Sequence, residues 1–258
     1  MIETQVNGVP VLRFSHLSAV PGVCHGIFTR HGGVSQGPFQ SLNMAFGVGD
    51  QPDAVLENRR ILADCMGGAE PVFLDQVHGT RVRRIASDSP TSGSGVSLTG
   101  DAMVTARAGT ALTIQTADCQ AILLFDPQRR VVANVHSGWR GSVANVIGQT
   151  LAAMTDAFGC RPKGVLAGIG PSLGPCCAEF RHYRREIPEP LWGYGDSRHH
   201  FDFWALSRDQ LVGAGVAEAN VEAAGICTRC RTDRFFSYRA EGVTGRLAAA
   251  IALTDGVR

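Results

Sequence analysis

Short apolar runs dominate the hydrophobic pattern of this chain. Stretches rich in β-branched residues and bounded by Gly, Asp or Pro predict strands over residues 9–14, 24–29, 71–77, 82–86, 102–105, 111–116, 121–125, 131–135 and 165–169. Helical spacing is rarer. A Ser142 cap precedes Val143, Val146, Ile147, Thr150, Leu151, Met154 and Phe158 at i, i+3, i+4, i+7 spacing, and Gly159 stops the pattern. A second helix follows Pro52-Asp53, with Val55, Leu62 and Met66 on one face, and ends at Gly67-Gly68. Fainter helical patterns cover residues 207–214 and 246–253. Runs of strands interrupted by isolated helices, rather than alternating with them, predict an α+β fold with a mixed sheet. There is no internal repeat or charge block, and the Ser/Gly stretch at 87–99 reads as a surface loop, so a single domain over 1–258 is expected.

Composition narrows the class. With 258 residues, 44% hydrophobic and 18% charged, the chain can bury a substantial core. Its 24 basic residues nearly balance 23 acidic ones, which removes the electrostatic case for nucleic acid or an anionic membrane as partner. No apolar run approaches the roughly 18 residues of a membrane span, and Met1-Ile2-Glu3-Thr4 has no basic region ahead of an apolar one. A cytoplasmic protein is expected. Lys163 is the only lysine and lies in a Cys160-Arg161-Pro162-Lys163 loop, so lysine chemistry is not expected and any phosphate falls to arginine. The eight cysteines are spaced irregularly, which in a reducing compartment makes most of them small buried hydrophobes and a few of them ligands or nucleophiles.

Reactive side chains concentrate where apolar strands end: in Leu74-Asp75-Gln76-Val77-His78-Gly79, in Gln115-Thr116-Ala117-Asp118-Cys119-Gln120, and in Asn134-Val135-His136-Ser137-Gly138-Trp139-Arg140-Gly141. Each supplies one His or Cys that a rigid sheet can aim at a common point. His78, Cys119 and His136 would make a His2Cys shell of the catalytic zinc type, with a fourth position open. Taken singly, each could equally be a satisfied core histidine or an inert buried thiol.

These segments resemble the YfiH-like polyphenol oxidase or laccase-domain family, also described as purine nucleoside phosphorylases. The resemblance runs through Thr29-Arg30-His31-Gly32-Gly33-Val34-Ser35, Ser41-Leu42-Asn43-Met44, Gln76-Val77-His78-Gly79, Gly100-Asp101-Ala102-Met103-Val104-Thr105, Thr116-Ala117-Asp118-Cys119, Val135 to Gly141, Gly168-Ile169-Gly170-Pro171-Ser172 and Phe236-Ser237-Tyr238-Arg239. It implies a four-layer α/β/β/α sandwich and metal ligands at His78, Cys119 and His136. It also implies a zinc-dependent phosphorolysis of adenosine, inosine and related nucleosides with accompanying adenosine deamination, so the expected partners are a nucleoside and inorganic phosphate. Arg30, Arg140 and Arg239 are the arginines inside its motifs and are candidate phosphate ligands, with Asn43 a further catalytic candidate. His31 reads as a surface-loop histidine.

Other chemistries compete. Copper is a possible occupant, but a multicopper oxidase needs several His-x-His pairs and the chain has none; no Met stands near Cys119 or His136 as a blue-copper axial ligand. A cysteine hydrolase would use Cys119 with His136 or His78 as base, and a binding protein would carry the metal only as a structural element. Gly168-Ile169-Gly170 fails as a dinucleotide loop because Pro171 intervenes and the third glycine position is Leu173. Cys227-Thr228-Arg229-Cys230 is a lone C-x-x-C that reads as structural or weakly redox-active, and Cys176-Cys177 lies in a Pro/Gly-bounded turn. Trp139 and Phe236 could stack a purine.

Overall fold

The computed structural model describes residues 1–86, 89 and 98–254. Its strands are β1 (Ile2–Val6), β2 (Val9–Arg13), β3 (Val23–Phe28), β4 (Glu70–Val72), β5 (Leu74–Asp75), β6 (Val82–Arg84), β7 (Leu98–Thr99), β8 (Ala102–Thr105), β9 (Thr110–Thr116), β10 (Gln120–Asp126), β11 (Val131–Ser137), β12 (Leu166–Ile169), β13 (Val221–Ala223) and β14 (Leu247–Leu253). Two six-stranded mixed sheets result, one in the order β1-β2-β3-β14-β9-β4 and the other β13-β12-β10-β11-β8-β6, with β5 and β7 forming a separate parallel pair.

Side-chain alternation explains why the sheets stack. Along β14, Leu247, Ala249, Ile251 and Leu253 join one core, while Ala248, Ala250 and Ala252 join another. Along β10, Ala121, Leu123 and Phe125 enter that same first core and Ile122 and Leu124 a third. The first core is therefore the layer between the sheets. The outer face of the first sheet packs on helix α2 (Pro52–Cys65) through Leu62 and Cys65. The outer face of the second is covered by Ile147, Leu151 and Met154 of α4 (Val146–Phe158) and Leu211 of α6 (Phe203–Gly213). The order helix, sheet, sheet, helix is the four-layer sandwich. The shorter helices are α1 (Ser15–Ser18), α3 (Trp139–Val143), α5 (Tyr183–Glu186) and α7 (Tyr238–Glu241).

Several elements differ from the sequence expectation, each for an identifiable reason. Residues 246–253 are not helical. Leu247–Leu253 is the buried strand β14, hydrogen-bonded between β3 and β9, because an apolar run of this length carries no periodicity of its own and the neighbouring strands decide. The helix expected to start at a Ser142 cap is two helices, α3 and α4. They break at Asn145, which takes a left-handed φ of 57° and caps α4 by accepting from the Gly148 amide, while the Ser142 hydroxyl bonds Ser137 instead. The run at 71–77 divides into β4, in the first sheet, and β5, which peels away to pair with β7. The expected loop at 87–99 falls largely outside the described residues, although its end forms β7. Strands β1 and β13 were not signalled by pattern.

The topology decides where the reactive residues lie. Cys119 sits on the link where the chain leaves β9 in the first sheet and enters β10 in the second. His136 is near the end of β11 and shares its inward face with Val132 and Asn134, four and two residues earlier. Asn134 clamps the two sheets, its Nδ2 donating to the carbonyls of Leu112 and Ala249 at 2.8 Å each. Replacing it with Ala should cost about 1–3 kcal/mol in chemical denaturation, with both bonds and some packing lost. A change indistinguishable from zero would mean that this clamp does not hold the sheets in register.

Candidate metal centre and its pocket

Asp101 precedes β8 and is fully buried. Its Oδ1 accepts from the His78 amide at 2.8 Å and from His136 Nδ1 at 2.9 Å, and its Oδ2 accepts from the Gly79 amide at 2.7 Å. Burial alone would raise its pKa, but these donors outweigh it and hold the carboxyl below its ordinary range. With Nδ1 engaged, His136 presents Nε2 to the Cys119 thiol. The His78 ring stands edge-on to that of His136, with centroids 4.8 Å apart, and its Nε2 is 3.8 Å from Cys119 Sγ. The three potential ligand atoms all lie within 4.8 Å of one another.

Two backbone features make this convergence possible. His78 and Asp118 both adopt left-handed conformations, with φ of 60° and 92°. Asp118 is fixed by its own side chain, which accepts from Thr228 Oγ1, Ser237 Oγ and the Arg239 amide, so the residue before Cys119 is tied to two other segments. Gly138 is the other requirement: a Cβ there would stand 2.6 Å from His78 Cδ2 and 3.2 Å from Cys119 Sγ. Burial pushes the Cys119 thiol up, but hydrogen bonds from His136 and His78 bring it down to about 6. Burial pushes His136 down, and its bonds to Asp101 and Cys119 raise it to about 9. The two shifts favour a thiolate beside an imidazolium. Two imidazoles and one thiolate, with a carboxylate fixing one ring from behind, fit a borderline-soft divalent ion such as zinc.

The cluster lines a pocket of about 660 Å³. Trp139, Phe180 and Phe203 form one wall; Phe46 and Tyr238, both large and solvent-exposed, stand at its edge. The Gln76 side chain pairs with the Gln115 backbone, donating to its carbonyl and accepting from its amide at 2.8 Å each, while Gln115 Nε2 donates to the Met44 carbonyl at 2.6 Å. Two arginines reach the lining. Arg239 Nη1 donates to the carbonyls of Glu179 at 3.2 Å and Cys177 at 3.5 Å, and Arg246 Nη1 donates to those of Thr244 and Gly245. The other guanidinium nitrogens of both have no bond among the described residues.

Of the residues nominated from sequence, His78, Cys119, His136 and Arg239 come together here. Arg30, Asn43, Arg140 and Phe236 do not. The Arg30 guanidinium lies 4.6 Å over the buried Phe236 ring and is occupied by the carbonyls of Gln40 and Thr232 and by Glu241 at 2.9 Å. Arg140 is exposed and stacks on Trp139 at 4.4 Å, outside the lining. Asn43 is fully buried and acts on the pocket indirectly, its Oδ1 accepting from the Arg246 amide. His31 is exposed, with Nε2 2.7 Å from the Asp233 carbonyl. Sequence reasoning assigned no role to Asp101 and missed Arg246. A carboxylate directly before the apolar run Ala102-Met103-Val104 was the available signal for the first; for the second there was none once its neighbours were read as helix.

A four-layer sandwich with a His2Cys group set in one pocket defines a laccase-domain protein of the YfiH type. The chain belongs to the family described as multi-copper polyphenol oxidoreductase laccase, whose model matches residues 24–254. It is 37% identical to a Deinococcus radiodurans protein named purine nucleoside phosphorylase, over 95% of this chain and 94% of that protein. A Pseudomonas aeruginosa protein also named a purine nucleoside phosphorylase is 37% identical, over 89% and 93%. The crystal structure of YlmD from Geobacillus stearothermophilus superposes with a TM-score of 0.88 at 29% identity, covering 98% of this chain and 99% of that one. Among the described residues, the groups able to hold a metal are the His2Cys set and a four-cysteine set, and neither offers the several histidines of a multicopper cluster. No helix among those residues is long and apolar enough to cross a membrane.

Two outcomes are expected. Asp101→Asn puts an amide where three donors converge and should weaken zinc binding roughly 10–100-fold in chelator competition, the usual effect of losing a partner behind a metal-bound histidine; unchanged affinity would remove Asp101 from the site. In metal-free protein, alkylation of Cys119 should rise through pH about 6 and level off by neutral pH, because the reactive thiolate exists above the lowered pKa. A rate still climbing through about pH 8.5, as for an ordinary thiol, would contradict the ion pair.

Proposed function

We propose that this chain is a purine nucleoside phosphorylase in which zinc is held by His78, Cys119 and His136. The observation that carries the reading is the placement of Arg239 and Arg246 in the same pocket as the His2Cys cluster. Phosphorolysis needs positive charge for inorganic phosphate, a flat apolar surface for the purine, and an electrophile near the bond that breaks. The names of the relatives support the same class of reaction.

In this scheme the free nitrogens of Arg239 and Arg246 bind phosphate, whose oxygen attacks the sugar C1′ as the bond to the purine nitrogen breaks. Burial lowers the pKa of Arg246, an effect opposed by nearby Cys119, Tyr238 and Asp118. Phe180 and Trp139 offer ring faces to the base, while Phe46 and Tyr238 shield the sugar from water. Asp101 keeps the proton on His136 Nδ1 and fixes that ring. Zinc, when bound, supplies a Lewis acid, and its ability to lower the pKa of water toward 7 is the chemistry that accompanying adenosine deamination at C6 requires.

One observation favours a second reading. Cys119, His136 and Asp101 stand in the order nucleophile, base and orienting carboxylate, as in a cysteine hydrolase. A second imidazole, His78 Nε2 at 3.8 Å from the same sulfur, favours metal ligation instead. Slow alkylation of Cys119 in the zinc-loaded protein, accelerated by a chelator, separates the two.

Incubated with inosine or adenosine and phosphate, the protein should release free base and ribose 1-phosphate, and base release should fall to background without phosphate. Arg246→Ala and Arg239→Ala should each raise the phosphate KM roughly 10- to 100-fold, the value of one charged contact, with metal content unchanged. Base release at the same rate without phosphate, or normal phosphate kinetics in both variants, would overturn the assignment.

A further inference from the structure

The loops that follow the parallel neighbours β12 and β13 run side by side, with Ser172 bridging Cys227. Their register is set by backbone bonds from Ser172 to Ile226 and from Thr228 to Ser172. This pairing brings two cysteine pairs that are distant in sequence, Cys176-Cys177 and Cys227/Cys230, to one place. Cys230 Sγ lies 3.5 Å from Cys177 Sγ and 3.6 Å from Cys176 Sγ, and all four sulfurs lie within 4.8 Å of one another. Four sulfurs around one ion at a Zn–S distance of about 2.3 Å form a tetrahedron with edges of about 3.8 Å. A multi-iron cluster would spread them further.

The surroundings suit a group of thiolates. The Gly174 amide donates to Cys227 Sγ at 3.3 Å, and the Arg229 guanidinium hydrogen-bonds Cys177. Four thiolates around a divalent ion leave a net negative charge that these donors offset. Cys177 and Cys227 are buried whereas Cys176 and Cys230 are exposed, so the ion would sit at the surface with its outer pair facing solvent. We infer that Cys176, Cys177, Cys227 and Cys230 form a second, structural zinc site that staples these two loops together.

A shell of four cysteines is closed. It leaves no position for substrate, unlike the three-ligand cluster in the pocket, so its work is mechanical. One stapled loop carries Leu173 and Ala178 of the pocket lining and offers the Cys177 carbonyl to Arg239. The other carries Thr228, whose hydroxyl holds Asp118 beside Cys119. The inference uses different ligands from the proposed function and stands without it.

Protein purified under reducing conditions without added metal should contain two zinc ions per chain by elemental analysis. Cys230→Ser and Cys176→Ser, both at exposed positions, should each lower that count by one. Cys119→Ser should lower it by one independently, and its cobalt-exchanged form should keep a strong thiolate-to-cobalt absorption that disappears in the Cys119→Ser/Cys230→Ser double variant. If the pocket holds no metal, wild type should still carry one zinc, retained in Cys119→Ser and lost in Cys230→Ser. In wild type, peptide mapping should find all four thiols slow to alkylate until a chelator is added. Equal metal content in wild type and Cys230→Ser, alkylation of the four at rates indifferent to chelator, or a disulfide from Cys230 to Cys176 or Cys177 in freshly prepared protein would overturn the site.

Discussion

Asp101 is the group on which the pocket depends. A buried carboxylate costs several kcal/mol in isolation, and it is tolerated here because it receives three donors, two from the backbone around His78 and one from the His136 ring. Those bonds have opposite ends in different parts of the fold: β8 and β11 are neighbours in one sheet, while His78 arrives on a segment that has just left the other. One side chain therefore fixes the His136 imidazole and the backbone that carries His78, which the topology alone would only bring near each other. The third member, Cys119, is set by the crossing between sheets and by the tether on Asp118.

The same division between sheet and loop runs through the pocket. Its floor consists of strand ends, whose positions are set by ladders that extend across the domain. Its walls come from loops and the first turns of short helices, which carry the aromatic residues and the two arginines. Chemistry that must be held to a fraction of an ångström sits on the floor, and groups that face a ligand sit on the walls, a placement that lets recognition vary without disturbing the His2Cys cluster.

Much of this was legible in the sequence. Strand-end His and Cys residues at 78, 119 and 136 could be nominated because a short apolar run followed by a reactive side chain is a local signal. What was not legible depended on partners far along the chain. Residues 247–253 contain the helix formers Ala and Leu, and only pairing with β3 and β9 makes them a strand; misreading that run also hid Arg246 at its start. Arg30 and Arg140 belong to the same motifs as Arg239, yet Arg30 is consumed by Glu241 and two carbonyls, contacts separated by up to about two hundred residues that no local pattern announces. Cys176-Cys177 and Cys227/Cys230 looked like unrelated fragments for the same reason: the parallel pairing of β12 with β13 is what joins them.

The left-handed backbone at His78 and Asp118 has a consequence for how a metal is chosen. A non-glycine residue held in that region stores on the order of 1 kcal/mol, and here the bonds from Asp101 and to Asp118 hold it in place. The three side chains are thus positioned by bonds to the sheets and loops around them, whereas a zinc finger's metal must organise its own loop. A rigid cage cannot relax around whichever ion comes first, so discrimination rests on size and preferred geometry. An ion that wants square-planar or octahedral surroundings must distort the fold to obtain them, while one content with a tetrahedral corner need not.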